Sequence, residues 1–351
     1  MRANSPHNKV TIIDVAVQAG VSAMTVSRVI RNRGNISPET RAHVKRIINE
    51  LQYEPLSSAR NLSGAFSRTI SIVIPDSKVL RQLRHGYEYE YALLVGALNI
   101  CKVFDYAVNI IEIQTVDDIE LLVKRVLSRQ VGGYIVAAPA TEFGDLLKTL
   151  QEYELTFSTI SAFTPVNSDL VVIANERQAT RDITQKMLNL GHQNISFIGG
   201  INNQRATTER QAGFIEAIQN HPDQSRIKYS IHNCNAFFED GYQIGLDLLS
   251  SGNRPTAIQC LTDDIAAGVI SAANKLAIRL PAELSIGGFD NFGLARKISP
   301  SLTTAVLPAE EMAEAAALQV IEALEGKCKQ AISALDCEVI VRDSVARAPG
   351  L

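Results

Sequence analysis

The sequence lacks the long apolar runs that a membrane span or an export signal requires. No hydrophobic stretch in its 351 residues approaches the roughly 18 residues that cross a bilayer, and residues 1–8 contain no apolar signal core. We therefore expect a soluble, cytoplasmic protein. The length exceeds that of one ordinary core and predicts two or three domains.

Cysteine and histidine are too scattered to indicate a metal site or a disulfide framework. The cysteines are odd in number, and no two lie at a zinc or redox spacing: Cys101, Cys234, Cys260, Cys328 and Cys337. We interpret them as small buried side chains in a reducing compartment, and we expect no metal and no cofactor.

The signatures of the common enzyme classes are absent as well. The sequence contains no G-x-G-x-x-G, Walker A, G-x-S-x-G or H-E-x-x-H motif. We therefore predict that the protein is not an enzyme. A cytoplasmic sugar-processing enzyme stays open as an alternative, which product formation from candidate sugars would reveal. A free solute-binding protein is a second alternative, which the missing signal peptide argues against.

Positive charge is concentrated at the N-terminus, although the whole chain has a net charge of −3. Residues 1–68 contain ten lysine and arginine residues against four acidic ones, which leaves a balance of −9 for the remainder. A basic head on an acidic body predicts a polyanionic partner for the head. Basic faces are also common as solvated surface, so the charge has a second interpretation.

Three short helices are predicted between residues 11 and 51. Thr11 is placed to cap the first, which Gly20 ends, and Ser22 caps the second. The third begins at Ser37, followed by proline and glutamate in its first turn. An apolar stripe at helical spacing turns the third helix toward a core: Val44, Ile47, Ile48 and Leu51.

The first two helices and the tight turn between them follow the helix-turn-helix plan. On the second helix Val26, Val29 and Ile30 share one face, which we interpret as core. The other positions provide what major-groove reading requires: Arg28 for guanine, Ala23 and Met24 for a thymine methyl, and Ser22, Thr25 and Ser27 for phosphates. A three-helix protein-interaction module is the alternative.

These segments closely resemble the opening of the lac repressor (LacI/GalR) family. The resemblance covers residues 10–29 (VTIIDVAVQAGVSAMTVSRV), 36–41 (ISPETR) and 51–55 (LQYEP). It implies that Ala23, Met24 and Arg28 select the operator sequence. It also places other contacts on the DNA backbone, and the full set that we expect to touch DNA is Thr11, Ser22, Ala23, Met24, Thr25, Ser27, Arg28, Asn35, Thr40, Ala59 and Leu62.

The segment after Pro55 is short, polar and poor in helix formers, and by itself it indicates a flexible tether. The resemblance implies a hinge helix that forms on DNA, where two copies enter the minor groove and each wedges a leucine between base pairs. Leu62 stands at that position, with Ala59 and Arg60 beside it.

From Thr69 onward, apolar strands alternate with amphipathic helices, which predicts parallel sheets built from βαβ units. The predicted strands are Ile70–Ile74, Tyr106–Ile113, Gly133–Ala138, Leu155–Ile160, Ile195–Ile198, Ala257–Leu261, Ser285–Phe289 and Cys337–Val341. Because the span of about 280 residues exceeds one such sheet, we expect two lobes.

The resemblance continues through the body at residues 189–200 (NLGHQNISFIGG), 210–214 (RQAGF), 262–268 (TDDIAAG) and 285–290 (SIGGFD). It implies a small all-α helix-turn-helix head and an α/β body of two parallel-sheet lobes, similar to periplasmic sugar-binding proteins. The expected domains are 9–55 (helix-turn-helix), 56–68 (hinge) and 69–351 (effector binding and dimerisation). The expected lobes are 69–161 with 293–326, and 175–289 with 332–342, joined by crossovers at 161–175, 289–293 and 326–332.

The effector is expected between the lobes, at the carboxyl ends of the strands. Arg210 and Asp264 match the family positions that most often bond effector, whereas by themselves they indicate surface or helix-capping charges. Asp290, Phe238 and Asp76 are further candidates. Tyr89 and Ser161 stand where the sequence departs from many relatives, so the ligand cannot be copied from any of them.

These observations predict a sequence-specific transcriptional regulator, a repressor of carbohydrate-utilisation genes controlled by a small sugar or sugar-derived effector. Its partners are a double-stranded operator with an inverted repeat and a second copy of the chain. The end of the chain carries no leucine-heptad tail, which favours a dimer over a tetramer. A nucleobase- or metabolite-responsive, corepressed regulator is the alternative within the same family.

Overall fold

The computed structural model describes residues 12–22, 25–26, 29, 36–51, 67–75, 88–113, 121–125, 130–138, 146–162, 170–200, 205–234, 237–328 and 330–350. The chain divides into two compact units, residues 1–67 and residues 68–351. Nine of the predicted site residues lie outside the described residues: Thr11, Ala23, Met24, Ser27, Arg28, Asn35, Ala59, Leu62 and Asp76.

The first unit contains helices α1 (Ile12–Gln18) and α2 (Pro38–Glu50), with helical residues at 25, 26 and 29 between them. Gly20 has a φ of 63°, a left-handed conformation that lets the chain turn after α1. The Oγ of Ser22 accepts the N–H of Thr25 at 3.1 Å, and the Oγ of Ser37 accepts the N–H of Thr40 at 3.1 Å. The caps predicted at Ser22 and Ser37 are therefore confirmed.

One apolar cluster holds the helices of the first unit together. Its buried members are Val15, Ala16, Ala19, Val26, Val29, Val44 and Ile47, and Ile48 and Leu51 pack against them half-buried. The predicted stripe of the third helix is confirmed. The core assignment of Val26 and Val29 is confirmed too, whereas Ile30, the third residue of that predicted face, lies outside the described residues.

The second unit contains two parallel sheets. The first has the strand order β11-β5-β4-β3-β1-β2, formed by β1 (Thr69–Pro75), β2 (Ala107–Ile113), β3 (Gly133–Ala137), β4 (Phe157–Ile160), β5 (Leu170–Ala174) and β11 (Ala331–Leu335). All five residues of β3 are buried, as expected for a parallel strand that is covered on both faces.

The second sheet has the order β7-β6-β8-β9, formed by β6 (Asn194–Ile198), β7 (Lys228–His232), β8 (Ala257–Cys260) and β9 (Ser285–Gly287). A small antiparallel pair of β10 (Thr304–Ala305) and β12 (Val339–Ile340) lies beside it, because the backbone of Gly288 donates to Thr303 and that of Asp290 to Ala305.

Helices cover the faces of both sheets: α3 (Glu88–Val103), α4 (Leu146–Glu152), α5 (Glu176–Asn189), α6 (Arg205–Gln219), α7 (Phe238–Leu249), α8 (Asp263–Lys275), α9 (Leu294–Lys297) and α10 (Ala309–Leu324). The α7–α8 pair is packed closely enough that a Cβ on Gly268 would lie 2.2 Å from the carbonyl oxygen of Phe238. In the described part of the chain, no helix has the length and apolar character that crossing a bilayer demands.

The predicted fold class is confirmed, but several strands and the lobe boundaries differ. β5 lies inside the segment 161–175 that was predicted as a crossover, and β11 belongs to the first sheet although its residues were assigned to the second lobe. The predicted strand Cys337–Val341 is reduced to β12. β5 and β11 were missed because their residues do not alternate between apolar and polar, whereas β7 (KYSIH) does alternate and offered a signal that was not used.

The chain consequently changes sheets at other points than predicted. It leaves the first sheet after Ala174, returns to it between β10 and α10, and leaves it again between β11 and β12. Residues 293–306 therefore accompany the second sheet, and the predicted crossovers at 289–293 and 326–332 were wrong.

Candidate functional site

The carboxyl ends of the second sheet bring several charged side chains together. Thr262 follows β8 and caps α8, accepting the N–H of Ile265 at 3.3 Å, so the next residue, Asp263, begins the helix at the sheet edge. Asp290 follows β9 two residues after a pair of glycines, and Arg210 lies on α6, the helix after β6. Parallel strands place all three at one edge of the sheet.

Arg210 is buried, with 4% of its surface exposed, and forms the centre of the cluster. Its Nε donates to Glu176 at 2.8 Å, and its Nη1 donates to Asp290 at 3.0 Å and to the carbonyl of Leu261 at 2.7 Å. The guanidinium also lies 3.7 Å from the ring centre of Phe289. Burial acts to lower the pKa of Arg210, but Asp290 and Glu176 outweigh it, and the net shift is upward.

Asp263 contributes a second buried carboxylate beside Asp290. Its Oδ2 accepts the N–H of Asn291 at 2.7 Å, and its Oδ1 accepts the hydroxyl of Thr304 at 2.7 Å. Burial and the negative charge of Asp290 raise the pKa of Asp263 to about 8, against the opposing effect of these two hydrogen bonds and of Arg210. The site therefore holds a carboxyl group that titrates far above its usual range.

Tyr89 extends the site toward the first sheet. It lies half-buried near the start of α3, the helix that packs against β1 and β2. Burial raises the pKa of Tyr89, and Glu90, Glu176 and Asp290 raise it further while Arg210 lowers it. The phenol is thus within electrostatic reach of the Arg210 cluster, so the site receives side chains from both sheet-bearing parts of the second unit.

The remaining predicted effector residues are placed less centrally. Ser161 is buried at the carboxyl end of β4, with a φ of 55° and its N–H bonded to Val172. Phe238 is 41% exposed and stacks on Tyr242. Asp264 is half-buried in the first turn of α8, whereas its neighbour Asp263 is the carboxylate beside Asp290 and Arg210.

Sequence reasoning missed two residues of the cluster, Glu176 and Asp263. Asp263 was passed over in favour of the adjacent Asp264, because the sequence alone shows two equivalent carboxylates after a capping threonine. Glu176 is 1% exposed at the start of α5, directly after β5. An acidic residue directly after a strand indicates a candidate site residue, but β5 itself had not been predicted.

The cluster can offer a ligand hydrogen bonds and charge. Among the described residues, Nη2 of Arg210 has no hydrogen-bond partner, so its two N–H groups are available to a ligand. Asp290, whose Oδ1 lies 3.0 Å from Nη1 of the same guanidinium, provides an acceptor beside them, which suits a ligand group that both accepts and donates. No nucleophile paired with a base occurs among these groups.

In the first unit, the described candidates for DNA contact are Ser22, Thr25 and Thr40. Ser22 is exposed, and Thr25 and Thr40 are half-buried. Their hydroxyls pair within the caps, Ser22 with Thr25 at 2.9 Å and Thr40 with Ser37 at 2.9 Å. These pairs hold the first turns of two helices in the described part of the head.

Comparison with known proteins divides the chain into two recognised parts. Residues 11–55 match the model of bacterial regulatory proteins, lacI family, and residues 184–345 match a periplasmic binding protein-like domain. The first match lies in the helical unit, and the second covers the part of the second unit that contains Arg210, Asp263 and Asp290.

Whole-length relatives give the same result. The chain is 30% identical over 302 residues to catabolite control protein A of Priestia megaterium, covering 85% of this chain and 88% of that protein. It is 26% identical to the probable HTH-type transcriptional repressor ExuR of Bacillus subtilis, covering 96% and 99%. The lac repressor dimer bound to operator and an anti-inducer has a TM-score of 0.82 at 22% identity, covering 97% and 100%.

Proposed function

The chain belongs to the lacI family of bacterial regulatory proteins and is a DNA-binding transcriptional regulator, and we propose that it represses carbohydrate-utilisation genes as a homodimer whose operator affinity is set by an uncharged sugar or sugar derivative. The observation that carries the proposal is that Arg210 bonds both Glu176, which follows β5 of the first sheet, and Asp290, which follows β9 of the second. A ligand held there contacts both parts and can shift their relative arrangement.

The charges of the cluster favour an uncharged polyhydroxyl ligand. Three carboxyl groups, those of Glu176, Asp263 and Asp290, surround a single guanidinium, and two of them already accept from it. An anionic group that accepts from the same guanidinium would lie close to the negative charges of Glu176 and Asp290, which already pair with it. A hydroxyl can instead accept from Nη2 of Arg210 and donate to Asp290, so sugars suit the site better than phosphates or sugar acids.

A thermal-shift screen identifies the effector class, because a ligand that binds only the folded protein raises the melting temperature. The panel pairs each hexose with its uronic acid and its 6-phosphate, and it includes nucleobases. We expect uncharged sugars alone to raise the melting temperature. A response restricted to nucleobases would support the corepressed alternative, and a response restricted to the anionic partners would contradict the charge argument.

Arg28 is proposed to read a base of the operator from the second helix, whose buried face is formed by Val26 and Val29. We expect Arg28→Ala to weaken operator binding by about 1–3 kcal/mol and to relax the preference at one base pair per half-site. Gel-shift titrations on operator variants and on random DNA measure both effects. An equal loss of affinity on operator and random DNA would reduce Arg28 to a phosphate contact.

The dimer is proposed to form through α3 and the edge strand β2 of the first sheet. Large apolar side chains remain exposed there, with Tyr91 66%, Leu98 45% and Ile110 42% accessible. Tyr91 and Leu98 are separated by seven residues and so lie on one face of α3. An exposed apolar face beside the outermost strand of the described sheet is the kind of surface that a second copy covers.

We expect Leu98→Glu to produce monomers and to lower operator affinity by at least about tenfold, because a single head buries too little DNA surface. Sedimentation velocity and gel shifts measure the two effects. Tyr153→Glu is the matched control, since Tyr153 is 53% exposed elsewhere in the same part of the chain. A Leu98→Glu variant that stays dimeric would place the interface on another surface.

A further inference from the structure

The turn that presents Asp290 to Arg210 has an unusual backbone. Asp290 has a φ of 108° and Asn291 a φ of 54°, both in the positive region that most side chains avoid and that aspartate and asparagine adopt more readily than others. Such a conformation costs free energy, and it persists only where surrounding contacts fix it. Two consecutive residues of this kind next to a ligand site indicate that specific groups hold the turn.

The first of these groups lies inside the site. The Oδ2 of Asp263 accepts the N–H of Asn291 at 2.7 Å, and the N–H of Asp290 donates to the carbonyl of Ala305 at 2.9 Å. These bonds fix the backbone of the turn from the side of α8 and of β10. They leave the side chain of Asn291 to be held by a different element.

That element is the C-terminal segment, residues 341–350. The Nη2 of Arg342 donates to the Oδ1 of Asn291 at 2.6 Å, and its Nη1 donates to the carbonyl of Leu302 at 2.7 Å. The backbone N–H of Arg342 donates to the Oγ1 of Thr303 at 2.9 Å. The guanidinium therefore spans two acceptors from a fixed backbone, which the point charge of a lysine cannot reproduce.

The segment itself is attached to the second sheet. Ser344 accepts the N–H of Ile286 through its carbonyl at 2.8 Å, and its hydroxyl donates to the carbonyl of Ile286 at 2.6 Å. The second sheet thus holds the backbone near Arg342 in place, and the side chain of Arg342 restrains Asn291. A continuous chain of contacts then leads from Arg342 through the turn to Asp290 and Arg210.

We propose that Arg342 is a positioning residue of the effector site: it holds the Asp290–Asn291 turn so that the carboxylate of Asp290 meets Arg210. The assignment of this cluster as the effector site rests on the proposed function. The positioning itself is a property of the ligand-free protein, so it is tested without an effector and without DNA.

The first test is amide hydrogen exchange on the full-length, ligand-free protein, read in peptides that cover residues 288–293. We expect Arg342→Ala to speed exchange in this turn by about tenfold, the effect of losing a charge-assisted hydrogen bond. Arg342→Lys should restore it only in part, and Arg347→Ala, an exposed residue of the same segment, should change nothing. Strand β6 should keep its protection in every variant.

The second test asks whether Arg342 acts through Asn291 and on Asp290. Asn291→Ala should loosen the turn as Arg342→Ala does, and the double variant should loosen it no further. The shift in denaturation midpoint caused by Asp290→Asn should be smaller in the Arg342→Ala background, where Asp290 no longer meets Arg210. The proposal would be overturned if Arg342→Ala exchanged at the wild-type rate or if the faster exchange spread to β6. It would also be overturned if the midpoint shifts of Asp290→Asn and Arg342→Ala were additive. If the wild-type protein did not bind operator DNA, the proposed function would be overturned instead.

Discussion

Arg210→Ala is expected to destabilise the second unit by about 3–5 kcal/mol, one of the largest effects of any single substitution in the described residues. The arginine neutralises Glu176 and Asp290, which are 1% and 16% exposed at their side chains. Removing it leaves these two carboxylates without their cation and also frees the carbonyl of Leu261. Urea unfolding monitored by circular dichroism measures the loss.

The matched control is Arg205→Ala, on the same helix α6 but without an ion pair in the described residues. Its destabilisation should be much smaller, and Glu176→Gln should relieve part of the cost of Arg210→Ala because one unpaired charge is removed. At a temperature where Arg210→Ala stays folded, it should bind operator but no longer respond to a sugar that shifts the wild type. Equal destabilisation by both arginine substitutions would show that the network contributes no specific stability.

Asp263→Asn is expected to change how stability depends on pH. The pKa of Asp263 is raised to about 8, well above its value of roughly 3.9 in an unfolded chain. Its contribution to stability is therefore complete below about pH 4 and is lost progressively as the pH rises toward 8. The asparagine carries no charge at any pH, so the variant should gain stability relative to the wild type by up to about 1.4 kcal/mol per pH unit over this interval.

Unfolding free energies of both proteins at several values between pH 4 and pH 9 test this expectation, because other titrating groups cancel in the difference. Asp264→Asn is the matched control, because it removes the neighbouring carboxylate in the same helical turn and leaves Asp263 in place. A difference between Asp263→Asn and wild type that does not change with pH would show that burial beside Asp290 does not raise the pKa of Asp263.

In the described residues of the head, two predicted caps and the predicted core were confirmed, because their signals are local. Ser22 and Ser37 cap helices through residues three positions away, and the stripe of Val44 and Ile47 is visible within a single helix. Neither assignment requires knowledge of any distant part of the chain. The positions that read the operator were inferred from the same pattern, and they stay predictions.

The effector site was predicted only in part, because its geometry depends on distant segments. Asp263 and Asp264 are neighbours with the same chemistry, and what separates them is that Thr304 and Asn291 arrive from elsewhere to bond Asp263. Glu176 depends on β5, a five-residue strand that pattern alone did not reveal. Arg342 meets Asn291 from a segment about 50 residues away, a contact that no local signal predicts.

The strand order of the first sheet has a consequence for biosynthesis. β11 completes the sheet at one edge by pairing residue 331 with residue 170, and α10, just before it, covers β3, β4 and β5. A chain growing on the ribosome therefore carries a finished head while this sheet still lacks its last strand and a covering helix. The half that recognises DNA matures before the half that senses the metabolite. Release of the nascent chain before residue 331 would yield a head without a complete sensor. Removal of truncated chains therefore matters more for this architecture than for one whose sheets are completed by contacts between neighbouring segments.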